Sequence, residues 1–90
     1  MGTVLVKIKI MPTSYLTDLK KIESKASSLI KKHEGKNCTI EEEPIAFGLK
    51  AVIASFSLDE DKEMEPLEKE LRNMEDVNSV QVVDMRRAFG

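Results

Sequence analysis

Hydrophobic residues in this 90-residue chain change their spacing in a set order, and that order leaves few folds open. In residues 3–11, Val4, Val6, Ile8 and Ile10 alternate with Leu5, Lys7 and Lys9. A period of two puts the four apolar side chains on one face, which predicts a half-buried strand. Pro12 has no N–H to offer a ladder and ends it. Over residues 17–34 the spacing becomes helical. Leu19, Ile22, Ala26, Leu29, Ile30 and His33 fall near one stripe, and Lys20, Lys21, Lys25, Lys31 and Lys32 face away from it. Thr17 is expected to cap this helix with Asp18 in its first turn, and Gly35 to close its C-terminus.

Residues 37–43 (Asn-Cys-Thr-Ile-Glu-Glu-Glu) read as a short polar strand, whose charge suits an exposed edge. Residues 49–58 form the most continuously apolar stretch and predict a central strand. Residues 61–75 return to the helical period through Met64, Leu67, Leu71 and Met74. Pro66 fits only a first turn, so this helix starts no earlier than about Lys62. Residues 77–86 alternate again, with Val80 and Val82 on one face and Gln81, Val83 and Met85 on the other. The order β-α-β-β-α-β predicts one α+β domain over residues 1–90. It is a ferredoxin-like βαββαβ sandwich: a four-stranded antiparallel sheet with two helices on one face, the first and third strands central. This fold hosts many unrelated activities, so it does not by itself give a function.

Composition narrows the function. A chain this short buries a thin core and leaves little room for a large interior cavity. With 41% hydrophobic and 33% charged residues it is globular. Cys38 is the single cysteine, so no internal disulfide forms, which suits a reducing cytoplasm. No apolar run approaches the roughly 18 residues of a membrane span, and Lys7 and Lys9 interrupt any signal-like stretch, so no membrane partner is expected. Charge is uneven: +5 over residues 1–36, −2 over 37–58, −6 over 59–76 and +1 over 77–90. The whole offers no strongly basic surface, and direct nucleic-acid binding is not expected.

Candidate chemistries fail on their own requirements. Asp59, Asp61, Glu63 and Glu70 match four positions of a calcium loop, but Met64 stands where the turn requires Gly. A lone His33 and a lone Cys38 fall short of a zinc site, and no residue is evidently placed to orient the imidazole of a nucleophilic pair. A phosphate cradle after the first strand needs glycines, and the chain has Met11-Pro12-Thr13-Ser14-Tyr15 there. Base-stacking aromatics in the central strands reduce to Phe56, which suits a core. No enzymatic bond chemistry, metal or cofactor is therefore expected. Two segments stand apart: the apolar turn Pro44-Ile45-Ala46-Phe47-Gly48, which either folds onto the core or is presented to a partner, and the closing Arg86-Arg87-Ala88-Phe89.

On these segments the chain resembles the archaeal elongation factor 1-beta family, guanine-nucleotide exchange factors for elongation factor 1-alpha. The resemblance runs from the opening Val-Lys-Ile-Lys-Ile-Met-Pro-Thr-Ser through the block Glu41 to Val52 to the closing Val80 to Arg87. It implies GDP release from a translational GTPase without bond chemistry. Eukaryotic members carry a similar Pro-Ile-Gly-aromatic-Gly turn, matched by Pro44, Ile45, Ala46, Phe47 and Gly48, with Ala46 in place of the first Gly. Glu42 stands where they have a Phe. Their Lys next to the last residue enters the magnesium site of the GTPase; the matching position is Arg87, which keeps the charge in a planar, bulkier group. The partner-binding residues implied are thus Arg87, Arg86, Phe89, Pro44, Ile45 and Phe47, and the partner is elongation factor 1-alpha. The alternative is a regulatory ligand-binding or homo-oligomeric module using the bare sheet face. The sequence does not specify the oligomeric state.

Overall fold

The structure, a computed structural model, describes residues 2–88. Its elements are β1 (Thr3–Pro12), α1 (Leu19–Lys32), β2 (Lys36–Pro44), β3 (Lys50–Asp59), α2 (Glu65–Arg72) and β4 (Val77–Ala88). The strands form one antiparallel sheet in the order β2-β3-β1-β4. The two apolar strands are central and the two polar ones are edges, as the sequence predicts. Val6, Ile8 and Ile10 of β1 and Val52, Ala54, Phe56 and Leu58 of β3 meet Ile22, Ala26 and Ile30 of α1 and Leu67 and Leu71 of α2 in a single buried cluster. Each of the larger side chains contributes about 1.5–3 kcal/mol by leaving water. Among the described residues no helix is long and apolar enough to cross a membrane.

Local details correct several expectations. The N-cap of α1 is Asp18, not Thr17: its carboxylate accepts from the Lys20 N–H at 3.1 Å. The Asp18 carboxylate thereby satisfies an otherwise unpaired amide of the first turn. At the other end, Glu34 takes the left-handed conformation (φ 68°) that Gly35 was expected to supply. The Glu34 N–H donates to the Lys31 carbonyl at 2.9 Å and the Gly35 N–H to the Ile30 carbonyl at 2.8 Å, the paired bonds of a Schellman closure. Gly35 is instead a point of close approach. A Cβ there would collide with the Ile30 side chain and lie 3.1 Å from the Phe56 ring.

α2 is shorter than the periodic stretch, spanning Glu65–Arg72, with Pro66 in its first turn as the sequence requires. β4 is longer, running to Ala88. It also contains an irregularity that alternation alone misses. Ile8 pairs with Val82 while Lys7 pairs with Asp84, leaving Val83 as an extra residue. Such a bulge shifts the strand by half its period. Met85, expected opposite Val82, therefore pairs with the core residue Val6 and shares its face.

Candidate functional site

Pro44, Ile45 and Phe47 belong to the β2–β3 hairpin. Pro44 is the last residue of β2 and pairs with Lys50, the first of β3. Within the loop, the Ile45 N–H donates to the Leu49 carbonyl at 2.7 Å and the Leu49 N–H to the Ala46 carbonyl at 3.1 Å. The two central residues, Phe47 and Gly48, have φ of 59° and 78°. A closing bond over two residues of positive φ is the pattern of a type I′ turn, whose twist matches paired strands. Gly48 meets that requirement without cost. Phe47 does not, because a Cβ in the left-handed region crowds the carbonyl. The ring gains nothing in return within the molecule: Phe47 is 95% exposed. The Phe47 ring therefore does not fold onto the core, while Ile45 and Leu49 are half-buried beneath it. Tyr15 and Leu16, in the β1–α1 loop, are also exposed. Tyr15 lines a cavity of about 330 Å³ with Pro12, Asp18, Lys20, Glu42, Gly48 and Lys50. Neither Tyr15 nor Leu16 stood out in the sequence, where a loop aromatic carries no periodic signal.

Arg86 and Arg87 lie in the last paired turn of β4, opposite Leu5 and Val4. Neighbouring residues of a strand point to opposite faces, so Arg86 stands on the open sheet face and Arg87 on the helix-bearing face. Each is held by one acid. Arg86 Nε and its terminal nitrogen reach Asp84 Oδ2 at 3.1 and 2.9 Å. Arg87 donates to Glu60 Oε2 at 2.6 Å, yet its side chain stays 75% exposed. Phe89 lies outside the described residues. The arginine end and the Phe47 end are not brought together. Val4, the partner of Arg87, pairs across to Leu58, and Leu58 lies eight positions along β3 from Lys50. At roughly 3.4 Å per residue the two groups stand about 27 Å apart on one rigid sheet.

A family model, that of the EF-1 guanine nucleotide exchange domain, matches residues 5–88. This chain belongs to that family. Its relatives include elongation factor 1-beta of Methanosarcina barkeri, 44% identical over 88 residues (97% of this chain and 99% of the relative), and of Methanocaldococcus jannaschii, 36% identical over 89 residues (98% and 100%). The chain is thus one of the elongation-factor exchange factors, and the Pro44–Gly48 turn, Arg86 and Arg87 all lie within the matched span. Among solved structures it is similar to the ACT domain from GTP pyrophosphokinase of Chlorobium tepidum, in crystal (TM-score 0.58, 20% identity, covering 88% of this chain and 96% of that one) and in solution (0.61, 18%, 91% and 88%). At that identity the likeness concerns the fold.

Two other titratable side chains tie the helices together. His33 Nε2 lies 2.6 Å from Glu70 Oε2, and Lys32 Nζ donates to Glu70 Oε1 at 2.9 Å, tying α1 to α2. These bonds, that of Lys32 first, hold the Glu70 carboxyl below its ordinary range. Burial pushes the Cys38 thiol up, away from nucleophilic reactivity. Among the described residues no cluster of His, Cys, Asp and Glu could hold a metal ion.

Proposed function

We propose that this exchange domain accelerates GDP release from elongation factor 1-alpha by presenting Arg87 to the magnesium and phosphate site while the Phe47 turn grips a separate part of the same partner. The observation that carries the reading is the placement of a largely exposed guanidinium on a fully paired strand end. The family membership supplies the reaction class. A GTPase holds GDP through Mg²⁺ and oriented phosphate contacts. A protein that binds the nucleotide-free form better than the GDP-bound form must weaken GDP binding by the same factor. A cation brought against Mg²⁺ supplies such a difference. Two unit charges at about 4 Å in an effective dielectric near 20 interact by about 4 kcal/mol, nearly three decades in affinity. No bond is made or broken.

The separation of about 27 Å means that no single pocket receives both groups. The hairpin tip and the arginine end act as two footholds of one rigid bar, so contact at one raises the effective concentration of the other. The test is release of a fluorescent GDP analogue from elongation factor 1-alpha. Wild type accelerates it, and Arg87→Ala slows it at least tenfold with unchanged thermal unfolding. Unchanged release with wild type refutes the function. A full-strength Arg87→Ala with a defective Arg86→Ala moves the role to the open sheet face. Concentration-dependent dimerisation without partner binding in sedimentation favours the oligomeric alternative.

A further inference from the structure

The carboxylate of Glu60 has two neighbours far from it in sequence. Its Oε2 receives the Arg87 guanidinium at 2.6 Å, and its Oε1 accepts from the Gly2 N–H at 2.9 Å. Its own backbone N–H donates to the Gly2 carbonyl at 3.0 Å. The following residues are fixed too: the Lys62 N–H donates to the Asp59 carbonyl at 2.9 Å and the Asp61 N–H to Asp59 Oδ1 at 3.2 Å. Glu60 is therefore anchored through its main chain and aimed through its side chain. Gly2 makes room for it. A Cβ on residue 2 would lie 2.8 Å from Glu60 Oε2 and 3.1 Å from its Cδ, so any side chain there displaces the carboxylate. Three parts of the chain, its start, the turn after β3 and the end of β4, converge to park one guanidinium.

We propose that Glu60 is a latch on Arg87, a positioning residue that sets how readily the guanidinium is released to the partner. The inference rests on the role assigned to Arg87 above. In the free protein, Arg87 divides its time between the Glu60 pair and an open state. Only the open state offers the guanidinium's full set of donors to another site. The measured affinity for the partner is reduced by the fraction of molecules that are open. The pair is largely exposed, so it holds weakly. Exposed ion pairs fall in a range that corresponds to about 1.4- to 5-fold in an equilibrium constant. That strength keeps the side chain from sampling every rotamer yet lets a partner take it.

Glu60→Gln tests the latch, because the amide is isosteric and its carbonyl still accepts from the Gly2 N–H while the charge is lost. Release of labelled GDP from elongation factor 1-alpha is measured against increasing concentrations of the full chain. The expected result is a half-saturating concentration lowered by about 1.4- to 5-fold with an unchanged maximal rate. The same substitution in an Arg87→Ala background has no effect. Gly2→Ala, which pushes the carboxylate aside, moves the half-saturating concentration in the same direction. A raised or unchanged half-saturating concentration for Glu60→Gln, with Arg87→Ala impaired, overturns the latch and leaves the proposed function standing. An effect of Glu60→Gln that persists without Arg87 overturns it as well. An unimpaired Arg87→Ala removes the cation mechanism and the latch together.

Discussion

Replacing Phe47 by Asn separates what the hairpin needs for folding from what it presents. Phe47 occupies the first central position of a turn with two positive φ values, 59° and 78°. A left-handed conformation costs an ordinary L-residue about 1–2 kcal/mol, and Asn is among the few that visit it routinely. Asn-Gly is also the favoured pair for this turn. The ring is 95% exposed, so its removal forfeits almost no buried area in the free protein. Phe47→Asn should therefore stabilise the domain by about 0.5–1 kcal/mol. For a domain of this size each kcal/mol moves the midpoint by about 4–8 °C, so thermal unfolding should shift upward by about 2–8 °C. Partner binding should respond in the opposite sense. Aromatic anchors at interfaces cost about 2 kcal/mol or more when truncated, so the half-saturating concentration for GDP release should rise by about 30-fold. A variant destabilised by more than about 1 kcal/mol would mean that the ring packs within the molecule, against its observed exposure. A variant with full exchange activity would remove the hairpin tip from the interface.

Other consequences concern stability. Gly35→Ala forces a methyl group into Ile30 and against Phe56. Overpacking of this kind should cost about 1–3 kcal/mol in chemical denaturation. The Glu70 carboxyl titrates below its ordinary value of 4.5 because Lys32 and His33 hydrogen-bond its charged form. Its contribution is complete above about pH 4.5 and is lost as pH falls through the lowered value. Glu70→Gln should accordingly flatten the acid limb of the stability–pH curve. Glu23 shows the reverse: burial, followed by the neighbouring Glu42 carboxyl, raises its carboxyl, and among the described residues its buried Oε2 has no hydrogen-bond partner. That stability is present below pH 4.5 and lost as pH rises through the raised value. Glu23→Gln should make the protein more resistant to urea at pH 7 than the wild type.

The topology was legible because each element is long enough to declare its period, and because charge marks the edges. Helix ends were less so. Thr17 and Asp18 are both good caps, and only the backbone path decides which side chain faces the free amide. Propensity alone puts the left-handed closing residue of α1 at Gly35, whereas Glu34 takes that conformation and tertiary packing needs the glycine one residue later, where Ile30 and Phe56 crowd the backbone. α2 begins only where Pro66 falls in its first turn. As for the site, both of its segments announced themselves, one as an apolar run in a loop and the other as paired arginines. Their separation follows from antiparallel pairing: the β2–β3 hairpin and the end of β4 necessarily lie at opposite ends of the sheet. The Glu60 contact could not be read, since nothing local links residues 2, 60 and 87.

The extra residue at Val83 has a consequence for how such a chain can change. One inserted residue offsets everything downstream by one, so a strand that kept Val83 but paired without the bulge would exchange the faces of Arg86 and Arg87 without altering either. Two consecutive arginines make the terminus tolerant of that inversion: whichever phase the strand adopts, a guanidinium remains on each side of the sheet. The doublet is insurance against slippage, and a lineage with a single cation at this end would have to preserve its bulge.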